Sequence, residues 1–104
     1  MQLLAIECLG KTLKLEGSMA GWQQLFWGDQ CVSQMSASED SEHFSHQFSL
    51  QSEQGEVQVL LKGALQWQPF ELQYQLLVND EFIDENTLTE KDIEQRQVIQ
   101  GKQQ

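Results

Sequence analysis

Proline and basic residues are scarce in this 104-residue chain. One proline and six lysines or arginines stand against sixteen acids, which gives a formal net charge of −10. A charge of that sign repels phosphate backbones and anionic lipid surfaces. The lysines do not form a basic patch either, because they are scattered at Lys11, Lys14, Lys62, Lys91 and Lys102. We therefore expect no nucleic-acid partner and no membrane partner, and acidity that mainly maintains solubility.

Long apolar runs are also missing, and there are only two cysteines, Cys8 and Cys31. No run has the length of a membrane span. The apolar start lacks a basic segment and is interrupted by Glu7, so it does not fit a secretory signal. The expectation is a cytoplasmic, reducing compartment with two free thiols. The length suits a single domain.

Apolar residues do occur in short runs that alternate with polar residues, which predicts β-strands. In the clearest run Phe44, His46 and Phe48 share one face. Two-residue turn signals at 28–29 and 79–80 separate neighbouring runs. No helical stretch is long enough for a parallel crossover. The sequence predicts an all-β fold: an antiparallel β-sandwich of seven to eight short strands.

Domain boundaries follow from the same pattern. Residues 1–86 are predicted to form the β-sandwich domain, with a bulge or bend between Gly63 and Pro69. The motif from Thr87 to Glu90 resembles a helix capping box. Residues 87–104 are therefore predicted to be a short C-terminal helix that frays into a disordered tail.

No catalytic or metal-binding motif emerges. His43 and His46 are three apart, which places them on opposite faces of a strand, so we predict no metal site. His46 is predicted to be a core or rim histidine bonded to a backbone carbonyl. Neither cysteine sits in a nucleophile signature. The acidic stretch 79–86 lacks the spacing of a calcium loop. We expect a protein that is not an enzyme and holds no cofactor.

Apolar residues exceed what one core can hold. Leu77 lies opposite the inward set of its strand and Leu60 does so in the preceding strand, so the two leucines are expected to lie close together on an outer face. Contiguous exposed apolar area usually marks an interface, and aromatic residues dominate such interfaces. The candidate interaction surface comprises Trp22, Phe26, Trp27, Leu60, Trp67, Phe70 and Leu77. The alternative is that these residues are scattered over the surface or form a second small core under the C-terminal segment.

The chain resembles the Fas apoptotic inhibitory molecule family and its bacterial relatives across roughly residues 10–86. The resemblance is carried by LKLEGS at 13–18 with GWQQLFWGDQCVS at 21–33, by His43-Phe44 leading into Phe48, and by LLVNDEFI at 76–83. The chain departs from the family in having Gly28-Asp29 where Asp-Gly is usual, and Asp80 where glycine is usual. The resemblance implies a compact antiparallel sandwich that acts by binding proteins and has no enzymatic site.

The leading hypothesis is a non-enzymatic protein-interaction domain that associates with a protein partner or with itself as a homodimer, through the face that carries Leu60 and Leu77. One alternative is a small apolar ligand held between the sheets by Tyr74, Trp67 and Phe70. Another alternative is an acidic inhibitor or nucleic-acid mimic that binds a basic protein surface.

Overall fold

The structure is a computed structural model, and it describes residues 1–36 and 43–92. These residues form eight antiparallel strands, so the all-β prediction is confirmed at the upper end of the predicted strand number. In chain order the strands are β1 (Gln2–Cys8), β2 (Lys11–Gly17), β3 (Trp22–Trp27), β4 (Gln30–Ser36), β5 (His43–Ser52), β6 (Gly55–Trp67), β7 (Phe70–Val78) and β8 (Glu81–Thr89).

The strands form two four-stranded meanders, one in the order β1-β2-β3-β4 and the other in the order β5-β6-β7-β8. Within each sheet, every strand pairs with its neighbours in sequence, which short turns allow. One core cluster contains side chains from both sheets, so the two layers pack as a sandwich. We call the β1–β4 layer the first sheet and the β5–β8 layer the second sheet.

Two of the predicted turns are confirmed in detail. Gly28, between β3 and β4, has φ +65°. Asn79 and Asp80, between β7 and β8, have φ +51° and +66°. Two successive residues with positive φ form the turn that matches strand twist, and Asn and Asp tolerate that region better than other non-glycine residues. Asp80 can therefore stand where the resembling family has glycine.

The last hairpin of each sheet carries a register shift at the same distance from its turn. The shift falls between Leu25 and Phe26 in the first sheet and between Leu76 and Leu77 in the second. Two residues follow each shift before the strand ends. The two sheets therefore share their strand order and the position of this shift, so that residues of β1–β4 can be matched to residues of β5–β8 by register. A further shift between Gln2 and Leu4 in β1 has no counterpart in β5.

Leucine dominates the core between the sheets. The alternation predicted for β5 is confirmed, because Phe44, His46 and Phe48 are all buried. Burying one leucine contributes about 1.5–3 kcal/mol, so these side chains supply much of the stability. The side chains that are at most 1% exposed are Leu3, Leu4, Leu13, Leu15, Leu25, His46, Val59, Leu61, Leu72 and Leu76.

The end of the described chain differs from the prediction. β8 continues to Thr89, three residues beyond the predicted domain boundary at 86, because Leu88 pairs with Leu72 and is buried in the core. The predicted cap at Thr87 is therefore wrong. Thr89 caps the helical turn instead, since its backbone N and its Oγ1 both donate to Asp92 Oδ2 at 2.9 Å. Residues 93–104, predicted as a tail, lie outside the described residues.

Of the bulge or bend predicted between Gly63 and Pro69, the structure has the bend and not the bulge. The pairing of β6 with β7 runs without a shift from Val59 to Trp67. The bend is the turn at Gln68-Pro69 that joins β6 to β7. Gly63 instead allows β6 and β7 to approach each other closely, because a Cβ at this position would lie 1.9 Å from the Gln73 carbonyl oxygen.

Candidate functional site

The candidate site is the outer face of the second sheet, which is the face turned away from the core. The register of β5 to β8 arranges its side chains in three rows that run across the four strands. In strand order, the apolar row is Gln47, Leu60, Leu77 and Phe82, the charged row is Ser45, Lys62, Gln75 and Glu85, and the amide row is His43, Ala64, Gln73 and Thr87.

The apolar row carries three large hydrophobic side chains, of which the one on β8 is exposed to solvent. Leu60 and Leu77 face each other across β6 and β7, and Leu77 faces Phe82. Phe82 is 64% exposed, and Ile83 beside it is 56% exposed. Leu77 is buried, yet it does not belong to the core cluster, so its neighbours on this face cover it. Together, Leu60, Leu77, Phe82 and Ile83 form an apolar patch at one end of the face.

The charged and amide rows enclose a polar groove of about 710 Å³. Its floor is the strand backbone at Phe44, Gly63, Tyr74 and Asn86, whose register lies between the two rows. Lys62 and Glu85 stand in the same wall, separated by Gln75. The face therefore combines an apolar end with a polar end that carries one base and one acid.

The structure places three of the predicted interface aromatics on the first sheet. Trp22 is 42% exposed at the start of β3. Phe26 lies under the ammonium of Lys14, 5.9 Å from the ring centre, and Lys11 lies 4.5 Å from the ring centre of Trp27. These aromatics are consequently not continuous with Leu60 and Leu77.

Two other predicted residues pack inward. Phe70 is 8% exposed and belongs to the core cluster, so its assignment to an interaction surface is wrong. Trp67 packs against the cluster and contacts Phe70 edge to face, with 5.6 Å between ring centres. Tyr74, the third residue proposed to line a ligand cavity, is a core residue whose hydroxyl donates to Asp84 at 2.8 Å. All three rings therefore pack against other side chains of the core.

Phe82 and Ile83 are the residues that the sequence interpretation missed. Two adjacent large apolar residues in a strand normally point to opposite faces, so at least one should have been expected outside. The register shift beside Leu77 leaves Ile83 unpaired between Phe82 and Asp84. The adjacent pair Phe82-Ile83 was therefore the sequence feature that indicated an exposed apolar residue on this strand.

Comparison of the chain with models of protein families, with characterised proteins and with solved structures returned no match. The resemblance to the Fas apoptotic inhibitory molecule family stays a prediction that rests on the motifs quoted above. No helix in the described part of the chain is long and apolar enough to cross a bilayer.

The potential reactive groups are separated. Within residues 1–36 and 43–92, no three His, Cys, Asp or Glu side chains are grouped so that they could hold a metal ion. Cys8 and Cys31 are both free thiols. Burial raises the pKa of the Cys8 thiol, which keeps it neutral and unreactive.

A buried histidine joins the two sheets. His46 is 1% exposed; its Nε2 lies 2.9 Å from Gln23 Oε1 and its Nδ1 lies 2.8 Å from Ser33 Oγ. The amide oxygen can only accept, so Nε2 carries the proton and Nδ1 accepts from the Ser33 hydroxyl. The inward position of His46 is confirmed, but its predicted backbone partner is wrong. Both partners are side chains of the opposite sheet, on β3 and β4.

Stability should fall in mild acid because of this bridge. Burial lowers the pKa of His46 below its ordinary 6.5, so the folded protein resists a proton that the unfolded chain accepts. Stability is therefore full above pH 6.5 and is lost as the pH falls through that value, by at most about 2 kcal/mol at pH 5. Urea unfolding between pH 8 and 5 measures this slope. His46→Leu should remove the part of the slope that comes from this histidine, and an unchanged slope in this variant would refute the assignment.

Proposed function

We propose that this domain is a non-enzymatic protein-binding module that self-associates through the outer face of its second sheet. The apolar patch supports this most directly. Phe82 and Ile83 are each more than half exposed, and they adjoin Leu60 and Leu77 on the same face. Clustered apolar exposure of this kind is typical of interaction sites, and aromatic side chains are the usual energetic anchors of such sites.

The face, rather than the sheet edge, is the favoured surface. β8 is an edge strand, and its free edge would otherwise offer backbone groups for pairing with another chain. It carries Glu81, Asp84 and Glu85, so two copies of β8 placed side by side would repel each other. The acids therefore suppress edge pairing, while the apolar patch on the adjoining face remains open.

The expected association is weak. The three rows contain twelve side chains. A standard interface uses roughly 20–30 residues on each side, and ordering two partners costs several kcal/mol before any net gain. Micromolar rather than nanomolar affinity follows, so the association should be studied at tens to hundreds of micromolar protein.

Replacement of Phe82 by aspartate should weaken self-association at least tenfold, because it removes the most exposed large side chain of the patch and adds a charge. Sedimentation velocity over a concentration series measures the change. Phe82 suits this test better than Leu77, whose burial would confound folding with binding.

The matched control is Met19→Asp, because Met19 is equally exposed, at 66%, but lies in the loop between β2 and β3 of the other sheet. It should associate like the wild type. A wild-type protein that stays monomeric at several hundred micromolar, or equal behaviour of the two variants, would overturn the proposed function.

A further inference from the structure

We infer that the self-associated form is a two-fold dimer whose axis runs along β7, with Lys62 of each copy facing Glu85 of the other. This inference rests on the proposed function and specifies its geometry. The observation that carries it is the order of side chains within the rows of the outer face. If the members of a row on β6, β7 and β8 are placed opposite the same three members in reversed order, each side chain meets a chemically matching partner.

Stacking two identical faces restricts the symmetry. A closed dimer uses the same surface on both copies, and the axis that turns one face onto the other must lie in the plane between them. If that axis runs along a strand, each row meets its own copy in reversed order. If it runs across the strands, a row instead meets a different row, except at the axis itself.

An axis along β7 pairs chemically matched groups in the apolar row. Leu77 then lies opposite Leu77 of the second copy, and Leu60 lies opposite Phe82 of the second copy, twice. In the amide row Gln73 lies opposite its own copy, and the small Ala64 lies opposite Thr87. Apolar surface is buried against apolar surface, and amide against amide.

The charged row decides between neighbouring axes. With the axis along β7, Lys62 faces Glu85 of the second copy at two symmetric places, and Gln75 faces itself. An axis along β6 would set Lys62 against Lys62, and an axis along β8 would set Glu85 against Glu85. Like charges in contact are unfavourable, so β7 is the strand that satisfies both the charges and the apolar patch.

A strand-parallel axis also agrees with the way sheets pack. Face-to-face sheets keep their strand directions within about 30° of each other and lie about 10 Å apart. Rotation about β7 preserves the strand direction and so gives an aligned packing. An axis across the strands also keeps the strand directions aligned, but it sets each strand opposite its own copy. Lys62 on β6 could then never face Glu85 on β8.

Charge exchange tests the arrangement. Lys62→Glu and Glu85→Lys should each weaken self-association at least tenfold, because each places like charges opposite one another at both symmetric positions. The double variant Lys62→Glu/Glu85→Lys should associate within about threefold of the wild type. An equimolar mixture of the two single variants should form a heterodimer, because every position then faces its opposite charge.

Charge reversals on the other sheet are the controls. Lys14→Glu and Glu16→Lys change the net charge by the same amounts but lie on the first sheet. We expect these controls to change the dissociation constant of the dimer only through the altered net charge of the protein. Sedimentation velocity of each variant, and of the mixture with one variant fluorescently labelled, gives the result.

The outcomes separate the two proposals. The β7 axis is wrong if the reversals at Lys62 and Glu85 act like their controls and the mixture forms no heterodimer. If Phe82→Asp still dissociates the dimer in that case, the use of this face stands. A monomeric wild type removes the proposed function itself. Recovery in both the double variant and the mixture supports the axis.

Discussion

Replacement of Gly63 by alanine is expected to lower the free energy of unfolding by about 3 kcal/mol, at the upper end of the usual cost of overpacking. The cause is steric. An added Cβ would lie 1.9 Å from the Gln73 carbonyl oxygen and 2.9 Å from Tyr74 Cα. Both are backbone atoms of β7, which cannot rotate away as a side chain can. β6 and β7 would have to separate where they form the floor of the polar groove.

Gly55→Ala is the matched control because Gly55 lies on the same strand. Gly55 has φ +113° but open space around its missing Cβ. Alanine there incurs backbone strain alone, about 1–2 kcal/mol. Urea unfolding followed by tryptophan fluorescence compares the two variants. A larger loss for Gly55→Ala than for Gly63→Ala would show that close approach of the strands is not what Gly63 provides.

Replacement of His46 by alanine is expected to cost about 4 kcal/mol. The change removes a fully buried ring, which leaves a cavity. It also deprives Gln23, itself 5% exposed, of its hydrogen-bond partner. Gln51→Ala, on the same strand but exposed, should stay within about 0.5 kcal/mol of the wild type. Similar losses for the two variants would contradict a bridging role.

A second pair of variants separates packing from hydrogen bonding. Register matches His46 to Leu4 of the other half, which is also 1% exposed, so leucine suits such a position. His46→Leu should cost about 2 kcal/mol, chiefly because buried Gln23 loses its partner. The double variant Gln23→Leu/His46→Leu should be less destabilised than the sum of the single variants. If the stability loss of the double variant equals the sum of the two single losses, Gln23 and His46 are not energetically coupled.

Features that depend on neighbouring residues were predictable from the sequence. Alternation in β5 placed Phe44, His46 and Phe48 in the core, because side-chain direction along a strand has a period of two. The turns at Gly28 and Asn79 followed from the ability of these residues to adopt positive φ. The pairing of Leu60 with Leu77, on which the candidate face depends, follows from the same local rules applied to one hairpin.

Features that depend on packing between distant segments were not predictable. The partners of His46 lie on two strands of the opposite sheet, so no local pattern indicates Gln23. β8 extends past 86 because Leu88 reaches the core, which outweighs the capping motif at Thr87. Glycine is needed at position 63 because β7 approaches β6 closely there. Phe70 points inward because it packs in the core beside Trp67.

The most direct test of self-association through the outer face is a dilution series followed by amide chemical shifts in two-dimensional NMR. The account predicts concentration-dependent shifts at Leu60, Lys62, Gln75, Leu77 and Phe82, and constant shifts at Lys14 and Phe26 on the first sheet. Shifts that are unchanged from tens to several hundred micromolar, or that move on the first sheet instead, would contradict it.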